Sequence, residues 1–504
     1  MKKIAVLLLA AGLLFALPAG ANAVDFKAKG RWAYNFSYGE NGNFTGGNGK
    51  TGFNSSEDKF EANQQVRLQL DAVASESLSG TVHFEIGGYN RGTAQYWGSN
   101  SSGAALGADG TWIKVKWSYL DWVVPQTDLK VRMGIQPMQL PDFINSNQVL
   151  ADDVAAITTS YAFNENVGVT AFWARILNDN STAATNRYAN YMDNLDAFGL
   201  TVPLTFDGVK VTPWGMYAGI GPAINYNSVN NTQIYTYASN ASGSSLRAGL
   251  LPLYGGRHNQ KLSQYGNAVW FGLPGQVTVF DPFKISWDFE YGSVQYDDSS
   301  MNRAGWLGTV LLEYKLDWST PGLYGWYASG DDDNLGNGSE RMPFMHPNNP
   351  NDFSGFAFHG DPIMGRDSLV GKSMSGLWGI GARLKNMSFI DNLSHTIRIN
   401  YMGGTNDPGI LKKINNSTGA WMSANDGSIA GREGLYLTRN DGVLEFGLSN
   451  KYKMYDNFVV YLDANYDALY LDKSKTVWGN SRMNGKNDNV RDAWNVGVTF
   501  VYQF

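Results

Sequence analysis

The chain closes on DAWNVGVTFVYQF, residues 492–504. Every second residue back from the end is aromatic or β-branched: Phe504, Tyr502, Phe500, Val498, Val496 and Trp494. Between them lie Gln503, Val501, Thr499, Gly497 and Asn495. A period of two is a β-strand with two different faces. Chain ends fray unless something ties them down, so such a regular final strand needs a partner.

The same alternation recurs upstream. In 26–38, Phe26, Ala28, Trp32, Tyr34, Phe36 and Tyr38 oppose Lys27, Lys29, Arg31 and Asn35. In 60–72, Phe60, Ala62, Val66, Leu68, Leu70 and Ala72 share a parity broken only by Gln64. Eighteen segments follow this rule: 24–40, 59–75, 78–93, 111–124, 129–140, 156–163, 167–177, 194–205, 209–220, 264–279, 283–296, 306–317, 320–330, 374–389, 393–406, 441–454, 458–472 and 491–504. The sixth, tenth and thirteenth carry the weakest pattern, which leaves sixteen strands as the alternative.

Connections alternate in length. Glu76-Ser77, Asp207-Gly208 and 455–457 are short, while 41–58, 221–263, 331–373 and 407–440 are long. Short turns at one end and long loops at the other are the pattern of a transmembrane barrel with periplasmic turns and extracellular loops. A large soluble β-sandwich or solenoid would also alternate. It would not need aromatics at strand ends on the apolar face, as at Trp32–Tyr38, Trp117 and Tyr119, Trp287–Tyr291 and Tyr466–Tyr470. Such girdles suit the two bilayer interfaces. Lipid supplies no hydrogen bonds, so the sheet must close, and the last strand must pair with the first. The expectation is an all-β transmembrane antiparallel barrel over 24–504.

Residues 1–23, MKKIAVLLLAAGLLFALPAGANA, read as a cleaved signal peptide: two lysines, an apolar run and an Ala-Asn-Ala site. No later stretch is long and apolar enough for a spanning helix. The chain has no cysteine, which excludes disulfides, thiol nucleophiles and cysteine-based zinc sites. A net charge of −6 gives no sign of nucleic-acid binding. The histidines, at 83, 258, 346, 359 and 395, show no metal-ligand spacing, and no G-x-S-x-G elbow is present. "GRDSLVGKS" at 365–373 misses phosphate-loop spacing, and "DDDNLG" at 331–336 puts leucine where a calcium loop needs a ligand. No catalytic residue, metal or cofactor is expected, although His395 lies near many serines.

A water-filled pore needs charges on its polar parity. In the first five segments basic residues dominate there: Lys27, Lys29, Arg31, Arg67, Lys114, Lys116, Lys130 and Arg132. Arg31, Arg67, Lys116 and Arg132 fall near mid-strand and are expected at similar height. Later segments mix Asp288, Glu290, Glu313, Asp463 and Asp467 with Lys284, Lys315, Arg383 and Arg398.

The first mature strand, VDFKAKGRWAYNFSY, and the C-terminal Phe504 resemble Gram-negative outer-membrane porins, most closely the homotrimeric porins of sulfate-reducing bacteria. The resemblance implies a homotrimer in outer-membrane lipid and lipopolysaccharide, with Phe504 read by the barrel-assembly machinery. It also implies passive diffusion of small solutes and inorganic ions, sulfate among them. In general porins the loop after the fifth strand folds inward and carries Leu-Pro-Glu-Phe. Here Leu140-Pro141-Asp142-Phe143 is similar, without the Gly-Gly-Asp continuation. That makes 141–155 the candidate constriction loop, with Asp142, Asp152 and Asp153 as an acidic face opposite the basic wall. A substrate-specific channel, and a non-conducting structural or adhesive barrel, are the other readings.

Overall fold

The computed structural model describes residues 24–504 except 41–43, 45–58, 88–94, 99–104, 107–112, 179–193, 223–245, 253–263, 346–351, 359–367, 369, 371–372, 411–412, 414–434 and 473–491. The expected signal peptide lies outside the described residues.

Strands pair antiparallel with their sequence neighbours all round, and the sheet is a closed barrel of eighteen strands. Closure runs between the first strand, Asp25–Glu40, and the last, Ala493–Gln503, from Arg31 opposite Gln503 to Glu40 opposite Trp494. Gly30 and Phe504 exchange both backbone hydrogen bonds, at 3.0 and 3.1 Å, so the final residue is ordered because it seals the sheet. The Phe504 ring lies over Gly30 and packs on Trp32, with centroids 5.2 Å apart.

Three adjacent strands are broken, and proline is the reason. The eighth runs as Asn194–Thr201 and Leu204–Phe206, the ninth as Val209–Val211 and Trp214–Ile220, and the tenth as Gly266–Gly272 and Gly275–Val277. Pro203, Pro213 and Pro274 sit in the gaps, where they donate no ladder bond. Their carbonyls still accept, from Gly168, Val202 and Thr212, so the barrel stays shut.

The outer face is apolar and ringed by aromatic pairs such as Trp306–Tyr327 and Phe283–Tyr314, with centroids 5.3 and 4.7 Å apart. Phe198, Leu323, Ile380 and Leu448 stand exposed between the rings. In a closed sheet this is the surface that lipid wets. Among the described residues no helix is long and apolar enough to cross a membrane.

The lumen is largely filled on one side. The inward faces of the ninth to seventeenth strands are buried against parts of the long connections: 140–150, Leu246–Leu250, 339–345, 352–358 and 374–377. Phe344, Phe353, Phe356 and Phe358 are fully buried there. Inward-facing Tyr324, Trp326, Trp270, Leu307 and Leu311 pack in the same cluster. The lumen therefore holds many buried aromatics, where the sequence reading put aromatics mainly on the outside. Loop residues, whose period is irregular, supply much of this packing.

Two boundaries differ from expectation with consequences for the lumen. The sixth strand begins at Ala151, five residues early, and pairs with the fifth from Gln139 opposite Ala151. Asp152 and Asp153 are therefore on the barrel wall and not on the loop. The fourth strand, Ile113–Val123, carries a bulge: His83 opposes Trp117 while Phe84 opposes Val115, leaving Lys116 extra. One extra residue flips every following side chain to the other face. Trp117, Tyr119 and Asp121 thus point into the lumen, and the first two are not girdle residues.

Candidate functional site

The first wall of the lumen is built by the first six strands. Arg31, Arg67, Glu85 and Lys114 follow one another in register across four of them. Arg67 Nε donates to Glu85 Oε2 at 2.8 Å, Lys114 stands 4.0 Å from the same carboxylate, and Arg31 donates to Gln65. Lys116 and the Trp117 indole both donate to Asp153. Arg132 grips Asp121 with two bonds of 2.6 and 2.9 Å while its guanidinium covers Tyr119. Lys29 lies 3.8 Å from Asp71, and Lys27 lies 3.8 Å from Asp25 with both side chains well exposed.

The basic wall is therefore a lattice of opposite charges. Asp153, expected opposite the cations, neutralises Lys116 from an adjacent part of the same wall. Arg132 is registered with Asp121 and Ser79, toward the short turns, and does not share the Arg31–Arg67 row. Sequence reasoning missed Asp121 because the bulge reversed its parity. Lys130, Arg132, Gln136 and Gln139 line a cavity of about 640 Å³ at this wall, together with Leu140 and Pro141 at the start of the loop.

That loop packs in the lumen. Leu140, Asn147, Gln148, Val149 and Leu150 are buried. Asn147 Nδ2 donates to Glu290 Oε1 at 2.5 Å, on the eleventh strand, Phe283–Gln295. Asp142 accepts the backbone N–H groups of Ile144 and Asn145 at 2.6 and 3.0 Å and sits beside Asp288. Burial pushes the Asp142 carboxyl up to about 6. It stabilises the turn of the loop and does not face Lys116 or Arg132 in any contact.

The second wall, on the later strands, holds segment 352–358. Asp352 is clasped by Arg383, Lys385 and Arg398, and its backbone N–H donates to Asn145 of the 140–150 loop at 3.0 Å. Burial would raise its carboxyl, but these cations hold it below the ordinary range. Phe353 stacks flat on Tyr324, centroids 4.1 Å apart, and its carbonyl accepts from the Tyr324 hydroxyl and Asn400. Glu445 Oε1 accepts from the Ser354 hydroxyl and from the N–H groups of Gly355 and Phe356 at 3.0, 2.7 and 2.9 Å. A buried carboxylate is tolerated where donors surround it, and here they come from the loop. Asp352, Ser354 and Glu445 were not singled out from sequence. Glu445 sits on the inward parity of its strand, which is the signal that was available. Asp352 lies in a long connection without any.

The remaining candidates resolve simply. His395 sits on the outer face and its Nδ1 lies 2.6 Å from Asn450 Oδ1. Asp331 accepts from Ser339 and from Tyr436 in a buried network. Most of 365–373 lies outside the described residues. Among the described residues no group of three or more acidic or histidine side chains is placed to hold a metal.

No family model matches the chain, and no curated protein does. Solved structures do resemble it along most of its length. OccD3 (OpdP) of Pseudomonas aeruginosa superposes with a TM-score of 0.49 at 10% identity, over 95% of this chain and 91% of that one. OccK11 (OpdR) of the same organism gives 0.48 at 9% identity, over 95% and 96%. OpdK of that organism, solved with vanillate, gives 0.49 at 10% identity, over 95% and 98%. The chain is an outer-membrane β-barrel of a Gram-negative bacterium. The closed sheet and its apolar exterior, ringed by aromatics, carry that conclusion.

Proposed function

We propose that this barrel is a solute-selective outer-membrane channel, rather than a wide general-diffusion pore. One observation carries the reading: segments 140–150 and 352–358 are fixed inside the barrel by buried hydrogen bonds to Glu290 and Glu445. Filling one side of the lumen leaves passage along the ion-paired wall of the first six strands. A low-dielectric enclosure focuses the field of such a wall, so charged and polar solutes feel it across the whole path. The charged residues there are Lys27, Lys29, Arg31, Arg67, Lys114, Lys116, Lys130 and Arg132, set against Asp25, Glu61, Asp71, Glu85, Asp121, Asp152 and Asp153. The two signs nearly balance, so a preference for small anions, sulfate among them, rests on the family resemblance.

Homotrimeric assembly, lipopolysaccharide contact and recognition of Phe504 by the barrel-assembly machinery belong to the same proposal. They rest on the resemblance to porins of sulfate-reducing bacteria. Single-channel recording in planar bilayers tests the function. Current steps with an anion-directed reversal potential, reduced saturably by one solute, support selective passage. Large unsaturable steps would return the reading to general diffusion, and a folded barrel without current would replace it with a structural role.

A further inference from the structure

Three cations from the barrel wall meet on one loop carboxylate. Arg383 Nη1 lies 2.6 Å and Lys385 Nζ 2.5 Å from Asp352 Oδ2, and Arg398 Nη2 lies 3.2 Å from Oδ1. Arg383 and Arg398 are direct register partners on neighbouring strands, Leu377–Ile390 and Leu393–Gly404. Like charges in that position repel unless an anion lies between them. The Arg383 side chain is 2% exposed, so it cannot be left to water. Glu313 takes its other edge at 2.7 Å and also holds Lys284 at 3.2 Å. Among the described residues Lys284, Arg383, Lys385 and Arg398 form ion pairs with Glu313 and Asp352, four cations to two carboxylates.

The parts differ in origin and in access. The cations stand on paired strands, whose positions the sheet fixes. Asp352 belongs to a loop, and its side chain is 28% exposed, as Lys385 is at 34%. The cations are thus preorganised and the anion is tethered, with solvent reaching the side where it sits. The Asp352 backbone is held apart from its carboxylate: its carbonyl accepts from Arg398 Nε at 2.9 Å and Arg383 Nη1 at 3.3 Å, and its N–H donates to Asn145 at 3.0 Å. With Glu445 holding Ser354, Gly355 and Phe356, the carboxylate alone can be exchanged while the segment stays in place.

We propose that Arg383, Lys385 and Arg398 form an oxyanion site in the lumen, that Asp352 fills it as a built-in ligand, and that small oxyanions compete with Asp352 for it. The shared chemistry is a planar carboxylate or a tetrahedral oxyanion meeting two guanidinium edges and an ammonium. A tethered ligand acts at a high effective concentration, so free anions enter the intact site only when abundant. The channel reading supplies the route by which solutes reach this site, and nothing else in the argument depends on it.

Acetate is the probe, because it is the Asp352 side chain cut free. Calorimetric titration of the folded, detergent-solubilised barrel compares wild type, Asp352→Ala and Asp352→Ala/Arg398→Gln, with chloride holding ionic strength constant. Asp352→Ala is expected to bind acetate with half-saturation about a hundredfold below wild type, as expected once an internal competitor at millimolar or higher effective concentration is gone. The double variant is expected to lose that gain. Equal titrations for wild type and Asp352→Ala, or undiminished binding in the double variant, would overturn the proposal. Far-UV circular dichroism confirms the barrel in each. Where alanine disturbs folding, Asp352→Asn keeps the volume without the charge and must also bind acetate better than wild type. Binding heat needs no transport, so a failed conductance experiment and a failed titration are separate results.

Discussion

The two walls of the lumen use charge in opposite ways. On the first six strands, cations and carboxylates pair with one another along the sheet: Arg67 with Glu85, Arg132 with Asp121, Lys116 with Asp153. Most of these groups keep partial contact with solvent, and their partners are fixed strands. On the later strands the partners include loops. Glu445, Arg383, Arg398, Tyr324 and Asn400 are buried, and each bonds to residues 352–356, although Arg383 also holds Glu313 on a neighbouring strand. Paired charges on a wetted wall contribute little to stability and much to the field. Buried polar groups that end on a loop decide where the loop lies, because leaving them unpaired is costly. On the proposed channel reading the first wall is the one solutes pass, and the second holds loop segments in place.

The strongest way to break this contrast is Glu445→Ala. It strips the acceptor from Ser354, Gly355 and Phe356, and should cost the segment about 1.5–3 kcal/mol, the range for hydrogen bonds to charged groups. Amide exchange at 355–358 should accelerate accordingly, and single-channel conductance should rise. Unchanged exchange would mean that the aromatic stack on Tyr324 suffices to hold the segment.

Next in size is the pH response of the 140–150 loop. Asp142 has its carboxyl raised from an ordinary 3.8 to about 6 by burial, so the folded loop favours the protonated acid. The stabilisation is complete below 3.8, declines as pH rises toward 6, and is gone above it. Exchange at 144–150, corrected for intrinsic rate, should quicken across that window. Asp142→Asn should remove the part of the rise between about pH 4 and 6. A rise unchanged in that variant would assign the response to Asp288 or Glu290, which face the same loop.

Phe504→Ala tests the seal between first and last strands. Each of its ring contacts, with Trp32 and with Tyr502, is worth about 0.5–1.5 kcal/mol beyond the area it buries. Refolding in detergent should show a loss of about 1–4 kcal/mol. A much larger drop in barrel yield from cell membranes would then report on the assembly role separately.

The smallest effect on stability is expected on the first wall. Arg132→Ala should change unfolding free energy by about 0–1 kcal/mol, as for partly exposed ion pairs. It should nonetheless move the reversal potential toward cations, since Asp121 is left without its counter-charge. A large loss of stability with no shift in reversal potential would erase the distinction between the two walls.

Much of this molecule was legible along the chain, and the limits have definite causes. The eighteen strands could be counted because a barrel wall in lipid imposes a period of two on nearly every segment. The pairing of the first strand with the last followed from the same rule, as did the inward parity of Arg31, Arg67, Lys114 and Arg383. Where the period broke, the reading broke with it. One bulge at Lys116 turned Trp117, Tyr119 and Asp121 inward. A strand that began at Ala151 moved Asp152 and Asp153 from a loop to the wall.

By itself the sequence determined the architecture, since alternation, aromatic strand ends and alternating loop lengths are local quantities that one chain displays in order. Only the tertiary structure decided what occupies the lumen. Asp352 meets Arg383, Lys385 and Arg398, and Ser354 meets Glu445, across 31 to 91 residues of chain. Loops have no period to read, and the charges that capture them become neighbours only after the sheet has closed.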